Sequence, residues 1–106
     1  MNKRITFRGM QSSPTIEGFV GEQMAKIEEF LSHERTPIAI DIVLEAHPTH
    51  AHNSVEIRIH SPEYEAIASR EGKDLYKLIG EVGDCIYSEL RKQKEAHVDR
   101  DKQGQR

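Results

Sequence analysis

Between residues 38 and 60 the chain alternates apolar and polar side chains twice, with one polar turn between the two runs. In "IAIDIVLEA" the residues Ile38, Ile40, Ile42 and Leu44 alternate with Ala39, Asp41, Val43 and Glu45. After "HPTHAHN", the run "SVEIRIH" sets Val55, Ile57 and Ile59 against Glu56, Arg58 and His60. A period of two sends successive side chains to opposite faces of a strand, and a short link joins antiparallel neighbours. The chain must therefore build a sheet with one apolar face, and other elements must cover that face.

Two stretches have the period needed to do so. "SSPTIEGFVGEQMAKIEEFLSHE" reads as a helix capped by Ser13, with Pro14 at the first helical position, where its missing N–H costs nothing. Its stripe is Ile16, Phe19, Val20, Met24, Ile27, Phe30 and Leu31. From about Glu71 to about Ala96 a second helix carries Leu75, Leu78, Ile79, Val82, Ile86 and Leu90 on one side. Gly80 and Gly83 lie inside it, each costing about 1 kcal/mol relative to alanine, and point to close packing against another element. "RITFRG" alternates as a further strand, with Ile5 and Phe7 on one face and Arg4, Thr6 and Arg8 on the other. Pro62 ends the "SVEIRIH" strand, and "EYEAIASR" is a weaker, shorter strand candidate near an edge.

The element order is β-α-β-β-β-α. A strand–helix–strand unit places its strands parallel and the short later links favour antiparallel ones. The expected fold class is thus α+β, a four-stranded mixed sheet with both helices on one face. At 106 residues the chain is one domain by size. Residues 1–96 are expected to form it, and 97–106, which end in "DRDKQGQR", to be a disordered polar tail.

Composition removes several function classes. No run approaches the roughly 18 apolar residues of a membrane span, and "MNKRITFRG" lacks the apolar core of a signal peptide. A cytoplasmic address and no membrane partner are expected. The single cysteine, Cys85, excludes an internal disulfide and a multi-cysteine zinc site, and beside the apolar stripe it reads as a structural thiol. His47, His50 and His52 lie in a flexible polar turn without a neighbouring Cys or acidic ligand at motif spacing, so no metal is expected there. No phosphate loop, nucleophile elbow or metalloprotease motif is present, and no candidate catalytic group has its second member. The expectation is a protein that is not an enzyme and carries no cofactor.

Charge is distributed unevenly. The net charge is −3, yet residues 1–8 hold Lys3, Arg4 and Arg8 without an acid, and residues 9–69 hold Lys26, Arg35 and Arg58 against ten carboxylates. On a helix, Arg70, Lys73 and Lys77 would occupy neighbouring turns, with Arg91, Lys92 and Lys94 at the far end. Cations at a helix C-terminus complement its macrodipole, and they also suit a phosphate backbone. Composition does not separate those readings.

The opening "ITFRG", the helix "SPTIEGFVGEQMAKIEEFL" and above all "KDLYKLIGEVGDCIYSELRKQK" resemble the short ribosome hibernation promoting factors and ribosome-associated translation inhibitors, the sigma-modulation family. That family's second helix opens on an acid, an apolar residue and Tyr, then closes in Leu-Arg-Lys-x-Lys. Asp74, Tyr76, Ile79, Asp84, Leu90, Arg91, Lys92 and Lys94 fill those places in register, within a match over residues 4 to about 95. The resemblance implies a fold similar to double-stranded-RNA-binding domains, docked on the small ribosomal subunit in the messenger and transfer RNA channel. There it would block translation in stationary phase or stress. It implies ribosomal RNA as partner, no DNA, a monomer when free, and no room for the C-terminal dimerising domain of the long forms.

The departures redistribute the expected contacts. Glu17, Gln23 and Glu29 stand in the first helix where the family commonly has Lys or Arg, leaving Lys26, and Cys85 and Ser88 replace basic residues in the second. The expected RNA-binding residues are Arg4, Arg8, Lys26, Lys73, Lys77, Arg91, Lys92 and Lys94. A second expectation is a divergent member that has kept the fold as a protein-interaction module, its acidic face of Glu17, Glu22, Glu28 and Glu29 turned to a basic protein.

Overall fold

Ser13 is extended and its Oγ accepts from the Ile16 N–H at 3.3 Å, so the first helix starts where its cap and Pro14 put it. In a computed structural model that describes residues 1–104, the elements are β1 (Asn2–Arg8), α1 (Pro14–Leu31), β2 (Ala39–His47), a 3-10 turn (Pro48–His50), β3 (His52–His60), β4 (Glu65–Gly72) and α2 (Leu75–Gly104). The sheet order is β1-β2-β3-β4, with β1 parallel to β2 and the later pairs antiparallel. The expected α+β architecture is the observed one. Register aligns Ile5 with Ile42, Ile42 with Ile57, and Ile57 with Ala68, so the apolar rows lie on the helix side. Ile40, Ile42, Leu44, Val55, Ile57 and Ile59 are buried there beneath Val20, Met24, Ile27 and Leu31 of α1 and Ile79, Val82, Ile86 and Leu90 of α2.

The second helix differs from its sequence boundary at both ends. β4 continues through Gly72, and α2 begins at Leu75 because Asp74 caps it, its Oδ1 accepting from the Lys77 N–H at 3.2 Å. Arg70 therefore lies on a strand and not on the helix. Beyond Ala96 the helix continues to Gly104, and the turn after Ala96 is tied down by His97, whose Nε2 is 3.0 Å from the Glu63 carbonyl oxygen and whose ring meets Tyr64 edge-on at 5.4 Å. Residues 105–106 of the expected tail lie outside the described residues. β4 is an edge strand as expected, but with eight residues it is longer than the seven of β1.

Gly80 and Gly83 face α1 at Gln23. A Cβ on Gly80 would stand 3.6 Å from Gln23 Oε1, and one on Gly83 would stand 3.7 Å from the Gln23 carbonyl oxygen. Both are ordinary contact distances, so the helices pass closely at Gln23 yet leave room for a methyl group at either glycine. Gly9, with φ +67°, ends β1 where a Cβ would fall 2.4 Å from the Ala46 carbonyl oxygen, so only glycine fits.

Candidate nucleic-acid interface

The half-buried residues of the α1 stripe form a seam with α2. Phe19 meets Tyr76 edge-on at 4.9 Å, and farther along Phe30 meets Tyr87 at 6.3 Å and Tyr64 at 5.3 Å. Edge-to-face pairs at such distances are favourable beyond the area they bury. Burial, and then the carboxylates of Glu34 and Glu63, push the Tyr64 phenol above its ordinary range, so it stays neutral inside this aromatic line.

Cations gather on the C-terminal half of that seam. Lys26 Nζ lies 5.0 Å from the Tyr87 ring centre, Arg91 Cζ 5.9 Å from the same ring, and Lys94 Nζ 5.6 Å from Phe30. Each is within cation–π reach. Lys92 joins Lys26, Tyr87, Ser88 and Arg91 around a depression of about 290 Å³ that Asp84 and Glu95 also line. Aromatic faces here hold cationic side chains whose charged ends remain at the surface, an arrangement suited to a phosphate backbone. Lys26 is not wholly free for that role, because Asp84 Oδ1 holds its ammonium at 2.6 Å. With the two side chains 45% and 70% exposed, the pair is solvent-screened and can be exchanged for another anion.

The eight cations singled out by sequence divide among three places. Lys26, Arg91, Lys92 and Lys94 share the α1–α2 seam. Lys77 sits in the first turn of α2, roughly 20 Å from Lys92 along the helix by its rise per residue, and 4.0 Å from Glu81, with Lys73 just before the helix. Arg4 and Arg8 point to the opposite face of the sheet, since Ile5 and Phe7 turn inward. On that face Arg4 is 3.9 Å from Asp41 and Arg8 is registered opposite Glu45. The same face carries Glu56, Glu65 and Glu71 against Arg58, so its carboxylates outnumber its arginines. Arg4 and Arg8 thus lie apart from the seam, on the other side of the sheet.

Two other clusters have different roles. Arg70 donates to Cys85 Sγ at 3.4 Å and lies 3.9 Å from Glu81. The contact with Cys85 and then the field of Glu81 hold its guanidinium above the ordinary value, committing that charge to the flank of α2. In the histidine turn, the His47 and His52 rings stack at 4.7 Å, with His47 Nε2 2.9 Å from Glu45 and His52 Nε2 3.9 Å from Glu71. Among the described residues no group of three ligating side chains converges on a metal position.

Sequence reasoning missed Tyr87 and Phe30 as the platforms of the cationic seam, and Asp84 as the partner of Lys26. Tyr87 and Arg91 stand four apart on one helix, a spacing that places them together and could have been read. The Lys26–Asp84 pair spans 58 positions and had no local signal.

Comparison with known proteins adds an independent line. A family model described as sigma 54 modulation protein / S30EA ribosomal protein matches residues 4–98. Among solved structures, the Thermus thermophilus Protein Y N-terminal domain superposes with a TM-score of 0.70 at 17% identity, covering 87% of this chain and 98% of that one. A ribosomal subunit interface protein from Coxiella burnetii superposes with a TM-score of 0.71 at 19% identity, covering 90% and 99%. Identities that low establish the common fold. No curated protein matches the sequence.

Proposed function

The chain belongs to the sigma 54 modulation protein / S30EA ribosomal protein family, and from that premise we propose that it binds ribosomal RNA in the decoding channel of the small subunit and inhibits translation, as a ribosome hibernation factor of stress or stationary phase. It acts by occupancy and not by chemistry, in the cytoplasm, as a monomer when free. The observation that carries this reading is the seam where Lys26, Arg91, Lys92 and Lys94 crowd around Tyr87 and Phe30. Phosphate contacts dominate affinity for nucleic acid, so a compact cationic strip suffices on a chain that is acidic elsewhere. Lys73 and Lys77 extend the strip toward the start of α2. Arg4 and Arg8 are assigned no RNA contact, because their face carries an excess of carboxylates.

The second reading is a protein-interaction module with an acidic helix face, of which Glu28 is shared with Lys3 at 3.5 Å. Co-sedimentation with small subunits and with whole ribosomes across a salt series separates the two. The proposal expects near-stoichiometric, salt-sensitive binding that displaces messenger and transfer RNA. Absence of binding at physiological salt would refute it.

A further inference from the structure

The sheet ends at β4, and the outer side of that strand already shows what it can hold. The side-chain amide of Gln93 accepts from the Glu65 N–H at 3.3 Å and donates to the Glu65 carbonyl oxygen at 2.7 Å. That is the bond pair a neighbouring strand would make, supplied by a side chain. Because ladder hydrogen bonds alternate along an antiparallel strand, the backbone groups of Ile67, Ser69 and Glu71 face outward in the same sense as those of Glu65. They form an open template.

The surroundings of this edge specify its occupant. Ile67 is 60% exposed. A groove of about 670 Å³ runs from β2 and β3 across β4 to the flank of α2, with Ile67, Ala66 and Ala68 as apolar surface at its β4 end, and its acids Asp41, Glu65 and Glu89 outnumber its one arginine, Arg58. Both nearby arginines have partners of their own: Arg58 lies 3.1 Å from Glu56, and Arg70 is held by Cys85 and Glu81. We propose that the open edge of β4 is a docking strip for an extended, lysine- and arginine-rich polypeptide segment, which adds to the sheet as a fifth strand. Main-chain hydrogen bonds supply affinity in this recognition mode, and alternate side chains supply selectivity. The strip lies along the β4 flank of α2, whereas the cationic seam lies along the α1 flank, and it does not depend on the ribosomal reading.

The test uses a capped, labelled octapeptide of alternating lysine and valine, as long as β4, and its glutamate–valine counterpart. Fluorescence anisotropy measures affinity, and amide hydrogen exchange reads Ile67, Ser69 and Glu71. Binding of the lysine peptide alone, with protection at those amides, is the expected result. Ile67→Pro removes one outward N–H on an edge strand without breaking the β3 ladder and should weaken binding roughly tenfold. Glu71→Lys combined with Glu89→Lys, which leaves the backbone untouched, should weaken it by a similar factor. Equal binding of the glutamate peptide, protection confined to α1, affinity unchanged in the charge variant, or self-association of the chain through β4 would each overturn the assignment.

Discussion

Removal of the Asp84 carboxylate should strengthen binding to ribosomal RNA while costing the fold little. Asp84 holds Lys26 at 2.6 Å, with both side chains well exposed, and exposed ion pairs contribute about 0.2–1 kcal/mol. Asp84→Asn should therefore lower the unfolding temperature by no more than about 6 °C in a domain of this size. The gain has two parts. A carboxylate within one side chain's length of a bound phosphate repels it by roughly 0.5–1 kcal/mol in a water-like dielectric, and Lys26 becomes available as a further phosphate ligand. Affinity should rise roughly threefold to tenfold at low salt, and the dependence of log K on log salt should steepen by about 0.9. Salt-series anisotropy with a labelled small-subunit RNA fragment, beside thermal unfolding, measures both. An unchanged affinity and slope would remove Lys26 from the interface, and an unfolding temperature lowered by well over 6 °C would make the pair structural.

Two further outcomes concern the scaffold. Gly9→Ala should destabilise by more than about 2 kcal/mol in urea unfolding, because the added Cβ meets the Ala46 carbonyl oxygen at 2.4 Å; a neutral result would contradict the tight β1–β2 approach. Gly80→Ala should stabilise by about 0.5–1 kcal/mol through helix propensity, since its Cβ meets only Gln23 Oε1 at an ordinary 3.6 Å; loss of stability would mean that the helices need the bare backbone there.

How much of this was legible in sequence varied with how local the cause was. Alternation at Ile38–Leu44 and Val55–Ile59, and the stripes of both helices, marked the core because one short-range period sets the inward positions, all buried in the strands, with Ile16, Phe19, Phe30 and Leu75 of the helix stripes half-buried at its margin. β4 was harder to bound. As an edge strand it exposes Ile67 on its open face, and Arg70 on its helix side reaches past the core to Cys85, so neither side shows a clean apolar row. Its pattern blurred into that of α2 until the Asp74 cap was located. The candidate cations were all visible as residues, but their grouping was not. The parity that turns Ile5 and Phe7 inward also sends Arg4 and Arg8 away from the helix seam. Which α1 residue meets which α2 residue is set by helix packing, so the Lys26–Asp84 pair and the place of Phe30 beside Tyr87 needed the fold.

The central claim is that the helix seam, and not the sheet face, reads phosphate. Its most direct test is co-sedimentation with small subunits across a salt series for two charge-reversed variants, one at Arg91, Lys92 and Lys94 and one at Arg4 and Arg8, with thermal unfolding as the control for folding. The account predicts that the seam variant loses binding at physiological salt and the sheet-face variant keeps it, with salt dependence close to that of the parent chain. Retained binding in a folded seam variant, or its loss in a folded sheet-face variant, would contradict the account.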